Sequence, residues 1–283
     1  MPNAKRPLVA VVAALVAFNF FIWQAVSVLA DNQLRVYFLD VGQGDAVLIR
    51  TPSHHTILVD GGPDDSVVYQ LSRVLPIWDR KIDLMVLTHP QADHMTGLLS
   101  VLDRFQVKEI LATFAEYPTE TNAEWLKRTV GRHHINYADA ADDFYFGKVL
   151  WDTLSPLPGS QHPQSQDINE SSVVAKVIFG QRQFLLTGDV GFSTESMLLD
   201  YYPNLDATVL KVGHHGSRHA SSAEFLRAVQ PQIAVISVGQ NSYGHPADET
   251  LGRLQEVGTK IYRTDQNGMV EVVTDGVSLS VVD

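Results

Sequence analysis

Short apolar runs bounded by turn residues alternate along the chain with stretches in which apolar positions recur at helical spacing. The runs predict strands at 34–39, 46–50, 56–60, 84–87, 110–114, 173–178, 184–187, 207–212 and 233–238. The helical spacing predicts helices over 67–75, 94–102 and 123–130. Tight turns join the first three strands, which indicates an antiparallel start, and the Pro-, Ser- and Gly-rich stretch 155–169 indicates a long loop.

The alternation of strands and helices continues to the end of the chain without a linker or a change of composition. A single domain built of α and β layers over residues 31–283 is therefore the simplest prediction.

A segment without charged side chains precedes this domain. Lys5 and Arg6 are followed by residues 8–30, which as a helix would be about 35 Å long. That length exceeds the hydrocarbon layer of a bilayer, roughly 30 Å. We therefore predict one N-terminal transmembrane anchor within residues 1–30, with residues 31–283 outside the cytoplasmic membrane because positive residues stay inside. The alternative is a signal peptide cleaved after Ala30, which would give a secreted protein.

Charge and cysteine content restrict the chemistry. The chain has 21 basic and 32 acidic side chains and a net charge of −11, so charge alone does not indicate a nucleic-acid partner. Because there is no cysteine, a bound metal would have to be held by His, Asp and Glu.

Residues that can bind metals recur directly after predicted strands. The segment Thr88-His89-Pro90-Gln91-Ala92-Asp93-His94 follows one strand, and the later strand ends add Asp189, His214, His215 and His245. A divalent metal held by imidazoles and carboxylates, with one coordination position open, lowers the pKa of water and supplies hydroxide near neutral pH. The alternative for Asp93 is a helix cap, and the alternative for Asp189 is an ordinary turn residue.

Several roles stay open at this point. Neighbouring residues on a strand point in opposite directions, so we expect only one of His214 and His215 to bind metal. His245 is a candidate for proton donation, phosphate binding or loop structure. Asp45 and Asp60 are expected to support the site by hydrogen bonding rather than to bind metal.

Six ordered motifs resemble the metallo-β-lactamase fold and, within it, the soluble domain of ComEC-type competence proteins, which take up DNA. They are FLDVGQGD at 38–45, ILVDGG at 57–62, LTHPQADHMTGL at 87–98, LLTGD at 185–189, KVGHHGS at 211–217 and GHPAD at 244–248. The resemblance implies a four-layer αββα sandwich with a metal cleft at the sheet edges. It also implies metal-dependent hydrolysis, most directly of phosphodiesters in DNA.

The family's HxHxDH signature falls on His89, Gln91, Asp93 and His94, so a glutamine stands where the superfamily has its second histidine. Counting back from Asp189 to the position where the family has another histidine reaches Asn169. Amide oxygens bind zinc less well than imidazole does. The resemblance therefore implies one good metal position, held by Asp93, His94, Asp189 and either His214 or His215, and a weakened second position beside His89.

The resulting prediction is a metal-dependent phosphodiesterase or nuclease acting on DNA outside the cytoplasm, with Zn²⁺ or Mn²⁺ as cofactor. Its candidate catalytic residues are Asp93, His215 and His245. One alternative is a metallohydrolase of a lactam, thioester or cell-envelope phosphoester, which would suit the acidic surface better. The other is a membrane-tethered binding module whose metal site is degenerate, as Gln91 and Asn169 suggest.

Overall fold

The structure is a computed structural model that describes residues 5–29, 32–115, 117–140, 142–158 and 167–282. Its strands are β1 Leu34–Phe38, β2 Val47–Arg50, β3 Thr56–Val59, β4 Lys81–Leu87, β5 Gln106–Ala112, β6 His134–Tyr137, β7 Asp143–Phe146, β8 Val149–Ser155, β9 Val174–Phe179, β10 Arg182–Leu186, β11 Val209–Lys211, β12 Ile233–Ile236, β13 Lys260–Arg263, β14 Val270–Thr274 and β15 Leu279–Val282. Its helices are α1 Lys5–Leu29, α2 Ser66–Val74, α3 Ala92–Leu102, α4 Glu120–Thr129, α5 Phe192–Tyr201, α6 Ala223–Val229, α7 Asp248–Glu256 and α8 Thr264–Asn267.

The chain divides into two compact units, Met1–Gln33 and Leu34–Asp283. The first unit contains α1, where the sequence predicted a membrane helix. Within the described residues, no helix has the length and hydropathy that crossing a membrane requires. The transmembrane anchor therefore stays a prediction, and the alternative cleavage position at Ala30 lies outside the described residues.

The second unit contains two sheets. The first has eight strands in the order β15-β14-β1-β2-β3-β4-β5-β6, and the second has seven in the order β13-β12-β11-β10-β9-β8-β7. The predicted antiparallel start is confirmed, since β1 pairs with β2 and β2 with β3 in antiparallel register. From β3 to β6 and from β10 to β13 neighbouring strands are parallel, so their carboxyl ends share an edge.

Three apolar clusters define the layers. The central cluster lies between the sheets and includes Phe38, Trp151 and Phe184. A second cluster packs α2, α3 and α4 on the outer face of the first sheet, and a third packs α5, α6 and α7 on the outer face of the second. Strand β4 is almost entirely buried because both of its faces are covered, which explains its continuous apolar run. The two-sheet α/β architecture implied by the resemblance is therefore present.

The sequence prediction omitted several strands that do not have a continuous apolar run. In β6 and β7 most side chains are half-buried or exposed, and neither strand is a run of aliphatic residues. The predicted loop at 155–169 was only partly right: β8 extends to Ser155, and a 3₁₀ turn occupies Ile168–Ser171. Residues 159–166 of that loop lie outside the described residues.

Candidate metal centre

The motif from Thr88 to His94 forms the connection between β4 and α3. Because α3 begins at Ala92, Asp93 and His94 lie in the first turn of the helix. The capping interpretation of Asp93 is not supported: the N-cap position is Gln91, and Asp93 Oδ2 instead lies 3.4 Å from His215 Nε2.

A glycine allows the loop between β1 and β2 to contact this motif. The N–H of Asp45 donates to the carbonyl oxygen of Asp93 at 3.2 Å. A Cβ atom on the preceding residue, Gly44, would lie 2.2 Å from the same oxygen, and the φ angle of Gly44 is +144°. Any other side chain at position 44 would therefore push the two loops apart.

Four side chains converge where the carboxyl-end edges of the two sheets lie side by side. Asp93, His94, Asp189 and His215 each offer one ligand atom, and these atoms all lie within 4.8 Å of one another. The Nε2 atoms of His94 and His215 both lie 3.2 Å from Asp189 Oδ2. Asp93 and His94 come from the first sheet, whereas Asp189 follows β10 and His215 follows β11 of the second. The convergence predicted from sequence is therefore present for these four residues.

The atoms at the centre of this cluster have no hydrogen-bond partner among the described residues. They are His94 Nε2, Asp189 Oδ2 and His215 Nε2, all buried. The other ring nitrogens are engaged: His94 Nδ1 lies 2.7 Å from Asp60 Oδ2, and His215 Nδ1 lies 2.9 Å from the carbonyl oxygen of Ser237. Since a carbonyl oxygen can only accept, Nδ1 of His215 carries the hydrogen and the lone pair of Nε2 faces the cluster.

Unpartnered buried polar atoms cost about 1–3 kcal/mol each, and a cation at the centre would satisfy all of them together. Two imidazole nitrogens and two carboxylates form a donor set that suits zinc, and the oxygen share also suits manganese. The residues present therefore fit a divalent metal site.

Electrostatic interactions keep the two carboxylates ionised. Burial alone would raise the pKa of Asp93, but the 3.4 Å contact with His215 and the charge of His94 lower it to about 2. Burial likewise opposes ionisation of Asp189, yet His215 and His94 hold its pKa well below the usual value. Burial lowers the pKa of the His94 and His215 imidazoles. The negative charge of Asp189 is the main cause that outweighs burial, and it raises both pKa values well above normal. The metal-free site thus holds protons that a cation would displace.

A buried ion pair lies beside the cluster. The ammonium group of Lys211, 1% exposed, contacts the carboxylate of Asp45, 3% exposed. It also donates to the carbonyl oxygen of Gly188 at 2.7 Å and lies 3.5 Å from Asp189 Oδ1. Lys211 therefore offsets buried negative charge and holds one oxygen of Asp189 so that the other faces the cluster.

Asp60 has the supporting role expected from sequence. It is 1% exposed and accepts hydrogen bonds from the N–H of Thr88 at 2.8 Å, from the hydroxyl of Thr88 at 2.7 Å and from His94 Nδ1. Asp45, Asp60 and His94 also offer atoms within 4.8 Å of one another. Because Thr88, His94 and Lys211 already contact these carboxylates, the two aspartates support the site rather than complete a second one.

His214 and His215 lie in a 3₁₀ turn, Gly213–Gly216, rather than on a strand. The argument from strand alternation was therefore wrong in its geometry. Both residues have positive φ angles, 46° and 52°, which cost about 1–3 kcal/mol each in a non-glycine residue. This turn sends His215 into the cluster, whereas the ring of His214 packs against that of His245 at 5.5 Å between centroids.

His245 lies outside the group of four. Asn241 fixes its backbone, since Asn241 Oδ1 accepts from the N–H of His245 at 3.0 Å and Nδ2 donates to its carbonyl oxygen at 2.8 Å. Its Nδ1 is buried without a hydrogen-bond partner among the described residues. Burial first and the neighbouring His214 second lower its pKa, so the ring is neutral at neutral pH and able to accept a proton.

His89 is buried but does not contribute to the group of four. Its Nε2 lies 3.1 Å from Gln91 Oε1, and its Nδ1 lies 3.2 Å from the hydroxyl of Ser172. Burial and the charge of His94 lower its pKa to about 3. Asn169 is also buried, and its Oδ1 has no partner among the described residues. At the second position of the family pattern, His89 is thus paired with Gln91, the residue that replaces a histidine.

Sequence reasoning missed two contributors to the site. Lys211 was not among the predicted site residues, although a lysine at the end of a short apolar strand is itself a signal of a buried ion pair. The carbonyl oxygen of Ser237, which orients His215, could not have been identified because every residue has a carbonyl group.

Taken together, two packed sheets with helices outside and a His/Asp cluster at the strand ends define an α/β protein with a site that fits a divalent metal. The chain belongs to the metallo-beta-lactamase superfamily, whose sequence pattern matches residues 39–240. The family resemblance stated from the motifs is confirmed.

Curated relatives include competence proteins. The chain is 29% identical over 280 residues to ComE operon protein 3 of Bacillus subtilis, a match that covers 92% of this chain and 35% of that protein. It is 32% identical over 247 residues to Competence protein ComA of Neisseria gonorrhoeae, covering 85% and 32% of the two chains. The chain thus spans about a third of the length of these relatives.

Among solved structures, the metallo-beta-lactamase fold protein YhfI from Bacillus subtilis is similar in fold. The TM-score is 0.58 at 12% sequence identity, with 85% of this chain and 100% of that chain covered. At this identity the likeness supports the fold alone.

Proposed function

We propose that the chain is a metal-dependent phosphodiesterase that acts on DNA outside the cytoplasmic membrane. The observation that carries this proposal is the convergence of three unpartnered buried atoms, His94 Nε2, Asp189 Oδ2 and His215 Nε2, beside the ionised carboxylate of Asp93. A divalent cation held there would supply a Lewis acid and a source of hydroxide near neutral pH.

The protein residues divide the remaining work. Asp93, His94, Asp189 and His215 would hold the cation, and Asp60 keeps the imidazole of His94 oriented through its 2.7 Å contact. His245, neutral and positioned by its loop, holds or accepts a proton near the substrate. Asp93, with its low pKa, stays ionised throughout and contacts His215.

The contacts around the site favour one bound cation per chain. At the second position His89 Nε2 already contacts Gln91 Oε1, and Lys211 lies near the Asp189 oxygen that points away from the cluster. We propose Zn²⁺ or Mn²⁺, since two imidazoles favour zinc and two carboxylates suit manganese.

Two parts of the proposal go beyond the geometry of the site: DNA as the substrate and a location outside the cytoplasm. The competence relatives support a role in handling DNA. The net charge of −11 works against a phosphate backbone, so a bound cation would have to supply the local attraction. We propose that residues 8–30 anchor the chain in the cytoplasmic membrane, or alternatively that they are a cleaved signal.

The test is an assay of the purified chain with single-stranded DNA, a generic phosphodiester and a β-lactam, each with Zn²⁺ or Mn²⁺. We expect DNA and phosphodiester cleavage that requires metal and disappears in Asp93→Asn. Cleavage of the β-lactam alone would favour the other metallohydrolase hypothesis. No cleavage of any substrate, with metal bound, would overturn the proposed activity.

A second candidate is a binding module with a degenerate metal site, and the contact between His89 and Gln91 is the observation that favours it. This candidate predicts DNA binding that neither metal nor Asp93→Asn changes. Turnover that depends on both would exclude it.

A further inference from the structure

An exposed apolar turn lies between α2 and β4. The N–H of Asp79 donates to the carbonyl oxygen of Pro76 at 2.8 Å, which closes a four-residue turn with Ile77 and Trp78 at its two corner positions. Their exposed fractions are 79% and 77%. Turn corners usually carry small or polar residues, so two large apolar side chains there have no local structural reason. They indicate a contact made outside this chain.

The turn is held in place on both sides. Asp79 Oδ2 forms an ion pair with Arg50 at 3.2 Å. The carbonyl oxygen of the next residue, Arg80, accepts from the N–H of Gln106 at 2.8 Å. Because its base is fixed, binding through the two apolar side chains would require little further ordering of the backbone.

Basic side chains and an apolar groove adjoin the turn. A groove of about 400 Å³ is lined by Leu71, Leu75, Ile77, Arg80, Arg104 and Phe105, among others. In the described part of the chain, no ion pair joins the guanidinium groups of Arg80 or Arg104 to a carboxylate: they contact the carbonyl oxygens of Ile77 and Ser100 instead. The groove and turn therefore combine apolar surface with unneutralised positive charge on a chain whose net charge is −11.

The acidic side chains next to this surface are neutralised by other partners. Asp79 is paired with Arg50, and Asp103, beside Arg104 in sequence, is paired with Arg128 at 2.8 Å. The local field at the groove is thus positive, and its complement is an anionic partner with an apolar interior.

We propose that this surface, formed by Ile77, Trp78, Arg80 and Arg104, docks the domain on an anionic lipid bilayer. Trp at the headgroup level and Arg on lipid phosphates are the side chains that suit this interface. Single-stranded nucleic acid would instead call for successive aromatic faces. Here the turn pairs one indole with the aliphatic Ile77, and the groove is lined by leucines, which suit acyl chains better than bases. This docking surface is independent of the metal centre.

The absence of cysteine makes a direct test simple, since Ile77→Cys would carry a single environment-sensitive fluorophore. The matched control is Tyr145→Cys, 72% exposed on β7. The full chain is reconstituted in phosphatidylcholine bilayers with and without phosphatidylglycerol, both containing spin-labelled lipid as quencher. We expect a blue shift and quenching at position 77 in the anionic bilayer only, and neither change at position 145.

Removing the arginine charges distinguishes docking of the protein from insertion of the fluorophore into the bilayer by itself. In Arg80→Gln/Arg104→Gln the ratio of docked to undocked chain should fall about 25-fold, which is about fivefold for each arginine. Arg132→Gln/Arg227→Gln, which removes two exposed charges elsewhere, should leave the ratio unchanged. The same signal at positions 77 and 145, or equal signals in both bilayers, would overturn the proposal. So would a shift at position 77 caused by single-stranded DNA without lipid.

Discussion

Asp60→Asn tests how the protein orients the metal ligand His94. Asp60 uses two oxygens to accept three hydrogen bonds, two from Thr88 and one from His94 Nδ1. An amide has one oxygen and one NH₂ group, so one of these donors must face another donor. If the NH₂ group faces His94, the imidazole proton moves to Nε2 and blocks the lone pair that would bind metal.

The backbone should tolerate this change. Asp60 has a φ angle of +57°, a conformation that Asn adopts as readily as Asp. Loss of a hydrogen-bonding partner behind a metal ligand costs about 10–100-fold in metal affinity, equivalent to about 1.4–2.8 kcal/mol. We therefore expect Zn²⁺ to bind Asp60→Asn more weakly by that factor, with the fold retained.

Isothermal titration of the metal-free chain with Zn²⁺ measures the affinity, and circular dichroism checks the fold. The control is Asp64→Asn, an exposed carboxylate in the following loop that accepts from the N–H of Ser66. A folded Asp60→Asn protein whose affinity lies within about twofold of the unaltered chain would refute the reasoning, since Asp60 would then have no part in orienting His94.

Three further changes probe other parts of the site. Lys211→Met removes the buried ammonium group beside Asp45 and Asp189, so urea unfolding of the metal-free protein should show a loss of about 3–5 kcal/mol. Gly44→Ala places a Cβ 2.2 Å from the carbonyl oxygen of Asp93, and thermal unfolding should show a loss of about 1–3 kcal/mol. Because the pKa of both cluster imidazoles is raised, metal must displace protons, and calorimetry should show affinity rising with pH through the neutral range.

Each of these predictions has an outcome that contradicts it. Lys211→Met with unchanged stability would mean that the buried pair contributes nothing. Gly252→Ala, at a helix position where a Cβ meets no atom within 4 Å, is the control for Gly44→Ala and should not destabilise. Equal losses in the two glycine variants, or a metal affinity independent of pH, would contradict the respective arguments.

The sequence predicted those parts of the fold in which the pattern is local. The buried strand β4 and the helix α3 are continuous apolar or periodic segments, and the prediction located both. Strands β6 and β7 were missed because each strand is only half-covered, and coverage is a tertiary property. A single sequence cannot show which strand will be an edge.

The same distinction applies to the site. Asp93, His94, Asp189 and one of the two adjacent histidines could be predicted as a group because they follow strands that end at a common edge. The choice of His215 over His214 depends on two positive φ angles in a 3₁₀ turn, which no residue type in the sequence indicates. The paired state of His89 likewise depends on a side-chain contact with Gln91.

Crystals soaked in Zn²⁺ and measured for anomalous scattering test the central claim most directly. The account predicts one strong peak per chain, about 2.0–2.2 Å from His94 Nε2, His215 Nε2 and the oxygens of Asp93 and Asp189. No peak at this position, or a peak beside His89 and Gln91 instead, would contradict it.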